Sequence, residues 1–177
     1  MDALSAFTIA LADPGDSAAR LLIEAHLAHS NETTPQISNH AMGVEALRGS
    51  GIRFWTVTDE TGDVVGCGAL KPLSDGTAEV KSIHIAKGAR GRGLARAMMA
   101  HLIDIADREG TTALVLETGS KEEYSPARGL YEALGFGYCG PIPGYAPDPN
   151  SVFMRLGLDP AASKPQEGQQ RSRSSTG

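Results

Sequence analysis

The stretch that decides the fold is AKGARGRGLARAMMAHL, residues 86–102. Between Gly88 and Arg96 it holds three glycines and three arginines, then passes directly into an apolar, helix-forming run. A helix that starts near Arg92 has no Ser, Thr, Asp or Asn to cap it, so the backbone N–H groups of its first turn lack side-chain partners. Gly91 and Gly93 let another group approach the main chain closely. Arg90, Arg92 and Arg96 add positive charge where the helix dipole already favours an anion. A phosphate or diphosphate satisfies all three features together, and each charge-assisted hydrogen bond to it contributes about 1.5–3 kcal/mol. The competing reading is a surface loop of solvated arginines, and glycine spacing alone does not separate the two. Gly88 and Gly93 have the P-loop spacing, but Leu94-Ala95 stand where Lys-Ser/Thr is required. Arg96 stands where a dinucleotide fingerprint needs a small residue.

Outward from this stretch the chain reads as alternating elements. TAEVKSIHIA (77–86) precedes it as a strand, and Arg92–Arg108 predicts a helix with Leu94, Met98, Leu102 and Ile105 on one face, stopped by Gly110. TTALVLET (111–118) is continuously β-branched and apolar, which suits a strand buried on both faces. SPARGLYEALGF (125–136) predicts a helix with Ser125 as cap and Pro126 in its first turn, and SVFMRLGL (151–158) a last strand. Upstream, FTIALAD predicts a strand ending at Pro14-Gly15, and Leu21, Leu22, Ala25 and Leu27 mark a helix capped by Asp16 or Ser17. HSNETTPQISNH (29–40) reads as a polar loop, followed by a short helix over 41–47. IRFWTVTDE and VVGCGALKPL form a hairpin turning at Gly62-Asp63. The order predicts a mixed α/β sheet with helices packed on it, in one domain over residues 1–158. Residues 159–177 carry almost no apolar side chains and read as a disordered tail.

The totals narrow the function. The chain has 177 residues and a formal charge of -5, whereas a protein devoted to nucleic acid is more often basic. There is no apolar run of about 18 residues, so no membrane partner is expected. The N-terminus lacks a basic leader and reads as the approach to the first strand. Cys67 and Cys139 are far apart and form no CxxC, which suits a cytoplasmic protein without a disulfide framework or a zinc site. The spacings of His26, His29, His40, His84 and His101 fit no common zinc motif.

Arg90-Gly91-Arg92-Gly93-Leu94-Ala95 resembles the Gln/Arg-x-x-Gly-x-Gly/Ala signature of the GNAT superfamily of acyl-CoA-dependent N-acyltransferases. LYEALGF (130–136) is similar to that family's later helix–strand junction, in the same order along the chain. VGCGALK, EVKSIHIA, LETGS, PARGLYEALGF and DPNSVFM are similar to segments of the YsnE-like bacterial acetyltransferases within it. The resemblance implies a largely antiparallel central sheet splayed between its fourth and fifth strands, with acetyl-CoA as co-substrate and no metal. It also implies pantetheine contact along Ile83, His84 and Ile85, and a diphosphate held by the amides from Arg90 to Ala95 (Arg90, Gly91, Arg92, Gly93, Leu94, Ala95). The expected reaction is acetyl transfer to a primary amine, more often of a small molecule than of a protein, by direct attack in a ternary complex. Dimers are common in similar proteins.

Such a reaction needs a proton acceptor and a proton donor. Deprotonating a lysine-like amine of pKa about 10.4 at neutral pH costs about 4–5 kcal/mol, so a general base helps. Glu79 lies where many relatives place a carboxylate, and Glu117 near the end of the next strand is the second choice. An exposed strand-face residue is the plainer reading of Glu79, and a polar strand end or substrate contact that of Glu117. Tyr131 occupies the position of the tyrosine that serves relatives as general acid, and core packing beside Leu134 and Phe136 is its alternative. Many relatives carry Asn seven residues before that tyrosine as a cofactor contact; this chain has Tyr124 there, which the resemblance places among the cofactor-binding residues. His40 and Tyr145 fall in the two connections that border the acceptor in similar proteins. Remaining rivals are an acyl-CoA-binding module without catalysis, an enzyme acting on protein amines, and a nucleic-acid binder using the arginines.

Overall fold

A computed structural model describes residues 6–33, 41–49 and 51–158. The elements in chain order are β1 (Thr8–Leu11), α1 (Ser17–Thr33), α2 (Val44–Leu47), β2 (Arg53–Thr58), β3 (Val64–Pro72), β4 (Ala78–Ile85), α3 (Leu94–Arg108), β5 (Ala113–Gly119), α4 (Ser125–Ala133), β6 (Gly137–Cys139) and β7 (Ser151–Gly157). They form one seven-stranded sheet in the order β1-β2-β3-β4-β5-β7-β6. Every neighbouring pair is antiparallel except β4 and β5, which run parallel. The mixed α/β sheet flanked by helices agrees with the sequence-based expectation.

Helices cover both faces of the sheet. On one face α3 and α4 close the main core, in which Leu70, Val80, Leu94, Met98, Leu102, Leu114, Leu116 and Met154 pack together. Burial of side chains of this size is worth about 1.5–3 kcal/mol each. On the other face α1 and α2 cover Phe54, Cys67 and Ala69 with Leu22, Ile23 and Leu47. A smaller cluster of Val115, Ile142 and Phe153 continues toward the connection between β6 and β7.

Several boundaries differ from the sequence reading, each for a physical reason. α1 continues through His29 to Thr33, where the polar composition predicts a loop, because Tyr124 contacts both residues and holds this weakly helical stretch. α3 starts at Leu94, since Gly93 is left-handed at φ 77° and stands outside the helix as its cap residue. The buried stripe of α3 is Leu94, Met98, Met99, Leu102 and Ala106, with Ile105 only half-buried at its margin. Ser125 is the first residue of α4 and makes no capping bond; Tyr124 holds the cap position. β6 is three residues long and too short for periodicity to reveal. The tail expected at 159–177 lies outside the described residues.

Two irregularities set β4 apart from its neighbours. It pairs with β5 only at Ala78↔Leu114 and Glu79↔Val115, whereas β5 stays paired with β7 along Ala113–Gly119. Beyond Glu79 the two parallel strands part. In the same stretch β4 takes three steps from Lys81 to His84 while β3 takes two from Ala69 to Cys67. This bulge places Ser82 at φ 57°, a conformation that non-glycine residues rarely adopt. Directly opposed residues of an antiparallel pair share a face. Lys81 and His84, opposite Ala69 and Cys67, therefore face α1.

Candidate active site

Where β4 and β5 part, a cleft of about 570 Å³ opens through the sheet. Ser82, Ile83, His84 and Ile85 line one wall and Leu116, Glu117, Thr118 and Gly119 the other. Arg90, Gly91, Gly93 and Arg96 form one end, α4 contributes Tyr131, and α1 contributes His26, His29 and Ser30.

The cationic end lies where β4 passes into α3. Gly91 and Gly93 have φ 79° and 77°, and a Cβ on either would meet nothing within 4 Å, so their backbone faces open space. No side chain caps α3, leaving its first-turn N–H groups for an external acceptor. Arg90 Nε donates to the Ile85 carbonyl at 3.1 Å, which holds that side chain at the end of β4. Arg92 turns away and lies 3.9 Å from the Glu60 carboxylate on the β2–β3 turn. Leu94 is 2% exposed, so its side chain belongs to the core and only its backbone serves the end of the cleft.

Tyr131 reaches the cleft from α4, its ring 6.0 Å from that of Phe136. Burial, and then the nearby Glu117 carboxylate, push its pKa up to about 12. The phenol therefore holds its proton throughout the neutral range. Glu117 lines the opposite wall and accepts a hydrogen bond from Ser151 Oγ at 2.8 Å.

Glu79 sits elsewhere than an exposed strand face. It is 2% exposed and belongs to the stretch where β4 still pairs with β5, before the cleft opens. Tyr145 Oη donates to its carboxylate, and Lys81 Nζ stands 3.2 Å from the same oxygen. Lys81 Nζ also donates to Tyr145 Oη at 2.8 Å. Burial and the hydrogen bond to Glu79 raise the Tyr145 pKa. The three side chains fasten the β6–β7 connection to β4, and of the three only Lys81 lines the cleft.

Tyr124 closes one side of the cleft. Its hydroxyl shares a hydrogen bond with Thr33 Oγ1, and its ring meets that of His29 edge-on at 5.9 Å. Both contacts hold the last turns of α1. Gly119 makes room for the ring: a Cβ there would lie 2.1 Å from Tyr124 Cδ2. Gly119→Ala is expected to cost about 1–3 kcal/mol, the usual effect of overpacking, read as a lowered Tm in thermal unfolding.

The histidines divide. His26 and His84 meet with ring centroids 5.3 Å apart, and both line the cleft. His101 packs edge-on against Trp55 at 5.8 Å, and its Nε2 is buried without a hydrogen bond. His40, expected at the acceptor, lies outside the described residues. Cys67 is fully buried with its pKa pushed up to about 12, so it is no nucleophile. Among the described residues no group of three or more His, Cys, Asp or Glu is placed to hold a metal ion, and no helix is long and apolar enough to cross a membrane.

Sequence reasoning assigns no role to Lys81, Ser82, His26 or His29 at this site. Ser82 Oγ is buried, unpartnered, and part of the cleft-lining set. The signal missing from a regular strand pattern is the bulge, which moves His84 onto the face of Glu79 and Lys81.

The family model of the acetyltransferase (GNAT) family matches residues 18–136, from the start of α1 to the residue before β6. The chain belongs to this family. GNAT acetyltransferases acetylate amine acceptors, and the family's fold uses acetyl-CoA. The chain is thus an acyltransferase of the GNAT class. It is 43% identical over 133 residues to the uncharacterized N-acetyltransferase YsnE of Bacillus subtilis, covering 75% of this chain and 87% of that one. It is 38% identical over 152 residues to an IAA acetyltransferase of Azospirillum brasilense, covering 85% and 97%. The structure of YncA from Salmonella typhimurium, with its cofactor acetyl-CoA, superposes with a TM-score of 0.63 at 26% identity, covering 87% of this GNAT chain and 95% of YncA.

Proposed function

We propose that this enzyme transfers the acetyl group of acetyl-CoA to a primary amine of a small molecule, by direct attack within a ternary complex. The observation that carries the reading is the continuity of the cleft. It runs from the uncapped start of α3, between β4 and β5, to a polar face under α1. The chain fits acetyl-CoA along that path. The amides from Arg90 to Ala95, with the Arg90 and Arg96 side chains, hold the diphosphate. The free edge of Ile83, His84 and Ile85 takes the pantetheine arm as an added strand would. Anchoring the remote part of the substrate positions its thioester beside the acceptor, a proximity effect. Tyr131 donates its proton to the departing sulfur.

A small acceptor is favoured by the walls on the acceptor side. The Tyr124–Thr33 hydrogen bond and the Tyr145–Glu79–Lys81 cluster hold α1 and the β6–β7 connection against the sheet. Nucleic-acid binding is disfavoured by the formal charge of -5 and by Arg92, which lies beside Glu60 and not on a shared basic face.

The test is calorimetry with acetyl-CoA, then an acetylation screen over amino acids, polyamines, aminoglycosides and lysine peptides. Heat on binding and acetylation of a small amine support the reading. A folded protein that binds no acetyl-CoA, or one that acetylates only peptides, overturns it. Arg90→Ala is expected to weaken acetyl-CoA binding by about 10–100-fold, the equivalent of one lost charge-assisted bond.

A further inference from the structure

We propose that His26, supported by His84, accepts the proton that the acceptor amine loses during acetyl transfer. This rests on the acetyl-transfer reading of the cleft.

The geometry separates two sides of the cleft. Tyr131 comes from α4, in the core cluster shared with α3. His84 faces α1, opposite Cys67 in register, and its ring meets His26 of α1 at 5.3 Å and 67°. A thioester held between β4 and β5 would then have its proton donor on one side and two imidazoles on the other. The carboxylates are placed less well. Glu79 shares the face of His84 but is buried where β4 still pairs with β5, and it is engaged by Tyr145 and Lys81. Glu117 does line the cleft, but one of its oxygens already accepts from Ser151.

The surroundings keep both rings free of an extra proton. The groups facing His26 are His29 on its own helix and His84 and Lys81 on β4, and those facing His84 include Arg90 beyond the strand end. Burial first, and then these neighbours, lower both histidines to about 4. Each imidazole thus keeps a nitrogen lone pair to accept a proton. A strong base is not required, because an amine nitrogen becomes far more acidic as it bonds to the carbonyl carbon. His29, one turn along α1, is exposed, so this side of the cleft reaches solvent.

The step balances without a further reactant. The neutral amine's lone pair forms the N–C bond, and the C–S bond breaks with its electrons passing to sulfur. The nitrogen's proton moves to His26 and the Tyr131 proton moves to sulfur. Solvent then takes a proton from His26 and returns one to Tyr131, leaving amide and thiol.

The experiment uses the full chain and the best small amine from the screen. His26→Gln is expected to lower kcat by about 10²–10³-fold while calorimetric acetyl-CoA affinity stays within about threefold. Added imidazole is expected to restore turnover to His26→Ala, a comparison made within one protein and so independent of any change in its stability. His84→Gln removes a neighbour that lowers the His26 pKa, so the acid limb of the kcat/KM profile should move to higher pH. His26→Gln with kcat within about threefold of the parent overturns the proposal. So does an absence of imidazole rescue, or a full loss in Glu117→Gln that His26→Gln does not share. An active parent enzyme with an indifferent His26 leaves the transfer reading standing. A parent chain that binds acetyl-CoA but acetylates no amine overturns that reading as well.

Discussion

Replacing Tyr131 by Phe is expected to lower kcat by about 10²–10³-fold and to leave acetyl-CoA affinity unchanged, as steady-state kinetics and calorimetry will report. The change deletes one oxygen and keeps the ring against Phe136, so the packing of α4 persists. Among the described residues the hydroxyl forms no hydrogen bond within the protein, and its loss strands no partner. What disappears is a proton donor. Burial and the Glu117 carboxylate hold this phenol at about 12, so it remains protonated where an ordinary tyrosine, near 10, begins to ionise. The pH profile of the parent enzyme should accordingly show no alkaline decline assignable to Tyr131 around pH 10. A Tyr131→Phe enzyme with undiminished kcat removes the residue from the mechanism. One that loses kcat and acetyl-CoA affinity together points to a displaced α4.

The two ends of the cleft differ in how far the sequence reveals them, and the difference has a physical basis. The cationic end is legible because its signal is local: glycines and arginines at the start of an uncapped helix bring amides and charge together whatever the rest of the fold does. Tyr131 is legible only through resemblance, since a buried helix tyrosine beside Leu134 and Phe136 also reads as core. The acceptor side is much less legible. Alternation along a regular strand puts residues 79, 81, 83 and 85 on one face. The bulge at Ser82 breaks that alternation, so His84 joins Lys81 under α1 while Ile83 and Ile85 pack in the other core. Glu79 reads as an open carboxylate because nothing in its neighbourhood announces Tyr145, 66 residues away. The end of α1 reads as a loop for the same reason. Thr33 and His29 gain their support from Tyr124, which folds over Gly119. Long-range contacts of this kind leave no local periodicity to read.

The division of labour among the carboxylates leads to the second large effect. Lys81→Met is expected to destabilise the protein by about 3–5 kcal/mol, because it leaves the Glu79 charge buried without its ion-pair partner. The Lys81 and Glu79 side chains are only 10% and 3% exposed, so water cannot take the lysine's place cheaply. At this chain length that loss lowers Tm by roughly 10 °C. The double variant Glu79→Gln, Lys81→Met removes both charges and should recover most of the loss, since a glutamine can still accept the Tyr145 hydroxyl. The pair of measurements assigns Glu79 by its own behaviour. A group held for architecture gives strong coupling between the two substitutions in thermal unfolding, and Glu79→Gln alone then leaves kcat nearly intact in a protein of normal acetyl-CoA affinity. A proton acceptor at Glu79 gives the reverse: Glu79→Gln loses turnover at unchanged stability. The first outcome agrees with a carboxylate buried where β4 and β5 are still joined, beneath the opening in which the chemistry is proposed to occur.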